Sequence, residues 1–134
     1  MIDTVLFDMG GTLEDIFVDA DSKRESALEV IRILKEKGIP VHVDWEEAQQ
    51  MLDRGWKRYA AYRDVTQREL KPEEIWGNYI LTEFGVDFET VQPFAEELAH
   101  MWEVTYYHRA LRPGVPHMLE GLRGLALRLG VISN

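Results

Sequence analysis

The sequence lacks cysteine, any long apolar run and any excess of positive charge. Without cysteine among its 134 residues, the chain forms no disulfide and uses no thiolate chemistry. Its apolar segments are shorter than the ~20 residues that cross a bilayer, and no basic region followed by an apolar core begins the chain. A net charge of −9 disfavours nucleic acid, because an acidic surface repels phosphate backbones. We therefore expect a cytoplasmic protein that binds neither membrane nor nucleic acid.

The opening residues contain the clearest local pattern. Residues 2–7 form a short apolar run rich in β-branched side chains, which is typical of a buried strand in a parallel sheet. The run ends at Asp8, and a glycine turn over residues 9–12 follows it. A carboxylate in this place lies where open α/β sheets bind ligands, and glycines let backbone N–H groups approach an anion. The pattern predicts an anion site beside Asp8.

Two motifs resemble landmarks of the haloacid dehalogenase (HAD) superfamily. Residues 8–13, DMGGTL, resemble its first motif, Asp-x-Asp-Gly-Thr-Leu/Val after a hydrophobic strand. Residues 111–134, LRPGVPHMLEGLRGLALRLGVISN, resemble its second landmark, a Pro-Gly helix start, a short helix and a hydrophobic strand ending in Ser/Thr-Asn. The two occur in the family's order, each at the end of a strand. The chain thus resembles the front part of a HAD-like hydrolase.

The resemblance implies an α/β fold in two parts. Residues 1–15 and 111–134 would form a partial Rossmann-like parallel-sheet core, and residues 16–110 an inserted helical cap of the family's C1 type. Apolar residues at helical spacing across the insert independently favour a helical bundle. We expect residues 2–7 to pair in parallel with residues 126–132. The expected helices cover residues 22–37, 44–62, 72–85, 90–108 and 116–124, and the family places a helical turn and a β-hairpin flap at 13–18.

The resemblance also implies the roles of the site residues. The family's first Asp is a nucleophile that forms an aspartyl-phosphate, or an aspartyl ester in the dehalogenases, which gives that role to Asp8. Mg²⁺ in the family binds this Asp and the backbone carbonyl two residues later, here that of Gly10, and hard oxygen ligands suit this ion. The remaining residues expected to bind the phosphoryl group are Gly11, Thr12, Ser133 and Asn134.

Gly10 is the main departure from the family's pattern. Phosphatases of the family place a second Asp there, which protonates the leaving group and later activates water. Glycine transfers no proton, and loss of such catalysis typically costs ~10²–10⁴-fold in rate. Glu14 and Asp15 are the nearest carboxylates that could replace it; the other interpretation of both is an exposed turn.

The helical insert also contains a run of basic residues and many aromatic ones. The basic run is either a solvated helix face or a contribution to binding an anionic substrate: Arg54, Lys57, Arg58, Arg63 and Arg68. The aromatic residues lie at helical spacings that favour the bundle core, with one or two as candidates for a substrate pocket: Trp56, Tyr59, Tyr62, Trp76, Trp102, Tyr106 and Tyr107.

The place where the sequence stops adds two expectations. The chain ends at Asn134, directly after its second predicted sheet strand, whereas the family continues with a Lys or Arg motif and an acidic motif. We therefore expect a truncated hydrolase, weak or inactive alone. Two strands leave an apolar sheet face uncovered, so self-association through that face is also expected.

Three functions are consistent with these motifs. The preferred one is Mg²⁺-dependent phosphoryl transfer from a small phosphorylated metabolite through an aspartyl intermediate. The second is a non-catalytic binding or interaction module on a degenerate HAD scaffold, which Gly10 and the early stop favour. The third is haloacid dehalogenase chemistry, which needs no Mg²⁺.

Overall fold

The computed structural model describes residues 2–133 of the chain. The strands are β1 (Thr4–Phe7), β2 (Glu14–Phe17), β3 (His108–Leu111) and β4 (Arg128–Val131). The α-helices are α1 (Ala20–Glu36), α2 (Trp45–Thr66), α3 (Pro72–Ile75), α4 (Phe88–Val91), α5 (Ala95–Thr105) and α6 (Val115–Gly124). A π-helical turn (Trp76–Ile80) and two 3₁₀ segments (Leu81–Phe84 and Gln92–Phe94) complete the helical part.

These elements divide into two compact units. The sheet unit consists of the residues up to Val18 together with the residues from Tyr107 onwards. The helical unit is Asp19–Tyr106. The structure therefore confirms the predicted fold class, with a small parallel sheet and an inserted helical bundle. Residues 16–18 and 107–110, assigned above to the cap, lie in the sheet unit.

The sheet unit contains the parallel strand pair that the motifs predicted. Strands β1 and β4 pair in parallel, in a register that runs from Thr4 opposite Arg128 to Phe7 opposite Val131. Beyond the strands, the N–H of Ile132 donates to the carbonyl of Phe7 at 2.8 Å. Both strands therefore end at the same edge of the sheet, which is where ligands bind in open α/β folds.

A second, antiparallel ribbon contains the strand expected in the flap at residues 13–18. Strand β2 pairs with β3, from Glu14 opposite Leu111 to Phe17 opposite His108, so the partner strand comes from the far side of the helical insert. The predicted helix over residues 90–108 is wrong at its end, because α5 stops at Thr105 and His108 begins β3. All four residues of β3 are exposed, so their sequence shows no alternation of apolar and polar side chains.

The first two long helices begin at carboxylate caps. Asp19 accepts a hydrogen bond from the N–H of Ser22 at 2.8 Å, and the N–H of Asp19 donates to the Ser22 hydroxyl at 3.2 Å. The Asp44 carboxylate accepts from the N–H of Glu47 at 2.9 Å. Both caps satisfy backbone donors that the first helical turn leaves unpaired. The helix predicted over residues 44–62 forms as α2, but it continues to Thr66 rather than ending near residue 62.

The helical unit contains most of the buried apolar side chains. Among the described residues, all buried hydrophobic side chains except Leu13 and Val115 belong to it. Its centre is aromatic: Trp56 lies 5.3 Å from Trp102 and 5.9 Å from Trp76 between ring centroids. These contacts support the bundle-core interpretation of these three aromatic residues. Within residues 2–133, no helix has the length and apolar character needed to cross a membrane.

Three arginines of the basic run form ion pairs within the helical unit. Arg54 and Arg58 both contact Glu83, at 2.8 and 3.1 Å, and Arg63 lies 3.7 Å from Glu69. Arg58 also donates to the hydroxyl of Thr82 at 2.5 Å. These pairs favour the helix-face interpretation over a role in binding an anionic substrate.

Candidate functional site

A polar pocket of about 380 Å³ opens in the sheet unit, at the edge where β1 and β4 end. Its volume falls within the roughly 300–1,000 Å³ typical of small-molecule sites. Its wall is formed by Asp8, Met9, Gly10, Glu14, Ile16, Arg109 and Ser133. The fold thus brings Asp8 and Ser133, which come from opposite ends of the chain, to one pocket.

A tight turn after β1 forms one side of this pocket. The carbonyl of Met9 accepts hydrogen bonds from the N–H groups of Leu13 at 2.8 Å and of Glu14 at 3.1 Å. Gly11 has a φ of 76°, in the left-handed region that favours glycine, and its N–H donates to the carbonyl of Glu14 at 2.8 Å. The buried side chain of Leu13 anchors the turn. Gly11 is therefore the glycine that this turn needs.

The Asp8 carboxylate is oriented by a residue of the same turn. The hydroxyl of Thr12 donates to Oδ2 of Asp8 at 3.4 Å, a long contact. The carbonyl of Gly11 accepts from Nη1 of Arg112 at 2.7 Å, which ties the turn to the segment after β3. In the described part of the chain, Gly11 and Thr12 are not part of the pocket wall. Their expected phosphate-binding roles stay predictions.

The oxygen atoms around Asp8 fit a magnesium ion. Gly10 and Glu14 form a parallel bridge whose hydrogen bonds use the N–H of Gly11 and the carbonyl of Met9. The Gly10 carbonyl therefore takes no part in that bridge, and both Gly10 and Asp8 are exposed in the pocket wall. Mg²⁺ usually keeps several waters and needs one or two carboxylates rather than a full protein cage. Residues 2–133 contain no cluster of three or more His, Asp or Glu arranged to hold a metal. A magnesium ion that keeps several of its waters does not require such a cluster.

Ser133 reaches the pocket because the strand pairing continues past β4. The bond from Ile132 to Phe7 extends the ladder by one residue, so Ile132 comes beside Asp8 and Ser133 follows it directly. Ser133 lies in the pocket wall. The last predicted site residue, Asn134, lies outside the described residues, and its role stays a prediction.

The ribbon supplies two further residues that the motifs did not place in the site. Arg109 contacts Glu14 through Nη1 and Oε1 at 2.6 Å, and the Glu14 side chain is only 14% exposed. Ile16 lies directly opposite Arg109, and Glu14 lies diagonally across the ribbon from Arg109. The three side chains therefore share the ribbon face that lines the pocket. Asp15, the other candidate acid, pairs instead with Arg112 at 3.2 Å.

Arg109 gives no signal in the sequence. Its place depends on the pairing of β2 with β3, two segments separated by the whole helical unit. No motif surrounds it, and the segment before it was predicted to be a helix over residues 90–108. Glu14 was considered as a replacement acid, but only the structure places it in the same pocket as Asp8.

Comparisons with known proteins give only weak likenesses. No protein-family model matches the chain, and no curated protein matches it. Among solved structures, the chain is similar to a predicted phosphoglycolate phosphatase from Haemophilus somnus 129pt, with 20% sequence identity and a TM-score of 0.34. The likeness covers 99% of this chain and 52% of that one, so this chain spans about half the length of its neighbour. A likeness this weak supports no conclusion about function, so function is inferred from the residues of the pocket.

Proposed function

We propose that the chain carries the nucleophile site of a HAD-like hydrolase, which transfers a phosphoryl group from a small phosphorylated metabolite. One observation carries the proposal: Asp8 and Ser133, one from each of the two family-like motifs, line one pocket at the end of paired parallel strands. A nucleophile and a hydroxyl donor are the minimum that such a site needs for attack and for binding the transferring oxygens.

The reaction begins with attack by an oxygen of the Asp8 carboxylate on phosphorus. The new bond joins Asp8 to phosphorus, and the bond from phosphorus to the leaving oxygen breaks. Attack by water on the aspartyl-phosphate then releases phosphate and restores Asp8. The Ser133 hydroxyl donates a hydrogen bond to a phosphoryl oxygen, and Thr12 holds the carboxylate through its contact with Oδ2.

Asp8 and the Gly10 carbonyl are the residues that would hold Mg²⁺, which when bound offsets negative charge on the transferring group. Gly10 has no side chain to move a proton, so the leaving oxygen and the attacking water need another acid and base. Glu14 is the second carboxylate in the pocket wall and is the candidate for that task. Slow turnover is therefore expected.

The proposal is tested by the effect of Mg²⁺ on phosphate binding. Inorganic phosphate is titrated by calorimetry with and without Mg²⁺, into the native chain and into Asp8→Asn. We expect Mg²⁺ to tighten phosphate binding by the native chain, and we expect this effect to vanish in Asp8→Asn because a metal ligand is lost. Asp3→Asn is the matched control, since Asp3 is an exposed carboxylate of the same unit outside the pocket wall.

The outcomes separate the candidate functions. Equal Mg²⁺ effects in the native chain and in Asp8→Asn would overturn the hydrolase proposal and favour a binding module. Dehalogenase chemistry is the third candidate function, and it is compatible with Gly10 because that reaction needs no acid at this position. Release of halide from a 2-haloacid without Mg²⁺, lost in Asp8→Asn, would select that reaction instead.

A further inference from the structure

We propose that Arg109 binds the phosphoryl oxygens of the substrate and is the anion-recognition residue of the Asp8 pocket. The inference rests on the proposed function and extends it to a residue outside both motifs. Arg109 lies in the pocket wall with Asp8 and Ser133, and it is the cationic side chain among the described wall residues. Its guanidinium is therefore the group in that wall best suited to attract an anion.

Contacts within the sheet unit hold the guanidinium in place. The largely buried carboxylate of Glu14 accepts from Nη1 of Arg109 at 2.6 Å. The guanidinium carbon also lies 5.9 Å from the centre of the Tyr107 ring, within the range of a cation–π contact. A guanidinium already held by its neighbours loses less side-chain entropy when it binds an anion. Its planar fork also matches the geometry of phosphate oxygens.

The charges of the wall explain why this cation matters. The wall carries the carboxylates of Asp8 and Glu14 and the guanidinium of Arg109, a single net negative charge. With Mg²⁺ bound, the net charge of the pocket would be positive and would attract a phosphate dianion. Without Arg109 the same pocket would be neutral with the metal and would lose most of that attraction.

The test measures binding of inorganic phosphate in the presence of Mg²⁺ by calorimetry. We expect Arg109→Ala to weaken the affinity roughly ten- to a hundredfold, as for the loss of hydrogen bonds to a charged group. Arg109→Lys keeps the charge but loses the fork, so it should weaken binding by about three- to tenfold. Arg128→Ala is the matched control, because Arg128 is a 75% exposed arginine of the same unit outside the pocket wall. It should bind as the native chain does.

Each outcome decides the inference. If Arg109→Ala and Arg109→Lys bind phosphate as tightly as the native chain, while Asp8→Asn loses the Mg²⁺ effect, the role of Arg109 is refuted and the proposed function stands. If the native chain shows no Mg²⁺-dependent phosphate binding, both fall. Far-ultraviolet circular dichroism checks the fold of each variant, and Arg109→Lys decides the matter if Arg109→Ala unfolds.

Discussion

Gly10 adds no side chain to the pocket wall, so this position transfers no proton. The structure leaves room for a side chain there. A Cβ atom on Gly10 would lie 3.2 Å from Cδ1 of Ile16, the flexible end of a side chain that is 41% exposed. The backbone of Gly10 is not in the left-handed region, so a side chain there causes no backbone strain.

We therefore predict that Gly10→Asp gains activity. Asp8 would be joined by an acid two residues later, and general acid–base catalysis typically contributes roughly 10²–10⁴-fold. Turnover of an aryl phosphate with Mg²⁺ is the measurement, and we expect a rise of about 10²-fold over the native chain.

Gly10→Asn is the control for this gain. It has nearly the same shape as Gly10→Asp and meets Ile16 in the same way, but it moves no proton. Equal rates for the two variants would show that proton transfer at this position does not limit the reaction.

At the scale of elements, the sequence predicted the strands and helices that a local pattern of residues determines. Strands β1 and β4 follow from apolar runs that end in turn residues, and α6 was predicted at 116–124 against the observed Val115–Gly124. The ribbon of β2 and β3 could not be predicted in this way. Its residues are mostly exposed, and it is defined by hydrogen bonds between segments far apart in sequence. The same holds for the candidate site. Asp8 and Ser133 could be predicted because they follow predicted strands, and Arg109 could not because it lies on the ribbon.

The helix predicted over residues 72–85 shows a different limit. It forms as α3, a π-helical turn and a 3₁₀ segment rather than one regular helix. Close packing of backbones accompanies this break: a Cβ atom on Gly55 of α2 would lie 2.7 Å from Cα of Ile80. The spacing of apolar residues along the sequence indicates which residues face the core, but it does not indicate how closely two helices approach each other.

At the scale of the whole molecule, the two units differ in how much apolar surface they bury. The sheet unit leaves large apolar side chains of both strands open to solvent, with Leu6 57% and Val131 50% exposed. Ile132, beyond the end of β4, is 65% exposed. A two-stranded sheet of this kind has a poor core of its own and unpaired strand edges. We propose that copies of the chain associate through this surface.

Light scattering across a range of protein concentrations tests this association. We expect a mass above that of the monomer, falling on dilution, and a shift towards monomer in Leu6→Lys. Leu28→Lys is the matched control, since Leu28 is a 44% exposed leucine on α1 of the helical unit. A native chain that stays monomeric at every concentration would contradict the proposal.

The central claim is that the Asp8 carboxylate, beside Ser133, accepts a phosphoryl group. Beryllofluoride mimics a phosphoryl group on a carboxylate, so fluorine NMR in the presence of Mg²⁺ measures this directly without requiring turnover. We expect bound fluorine resonances in the native chain, and we expect them to be absent in Asp8→Asn. Their absence from the native chain, or their survival in Asp8→Asn, would contradict it.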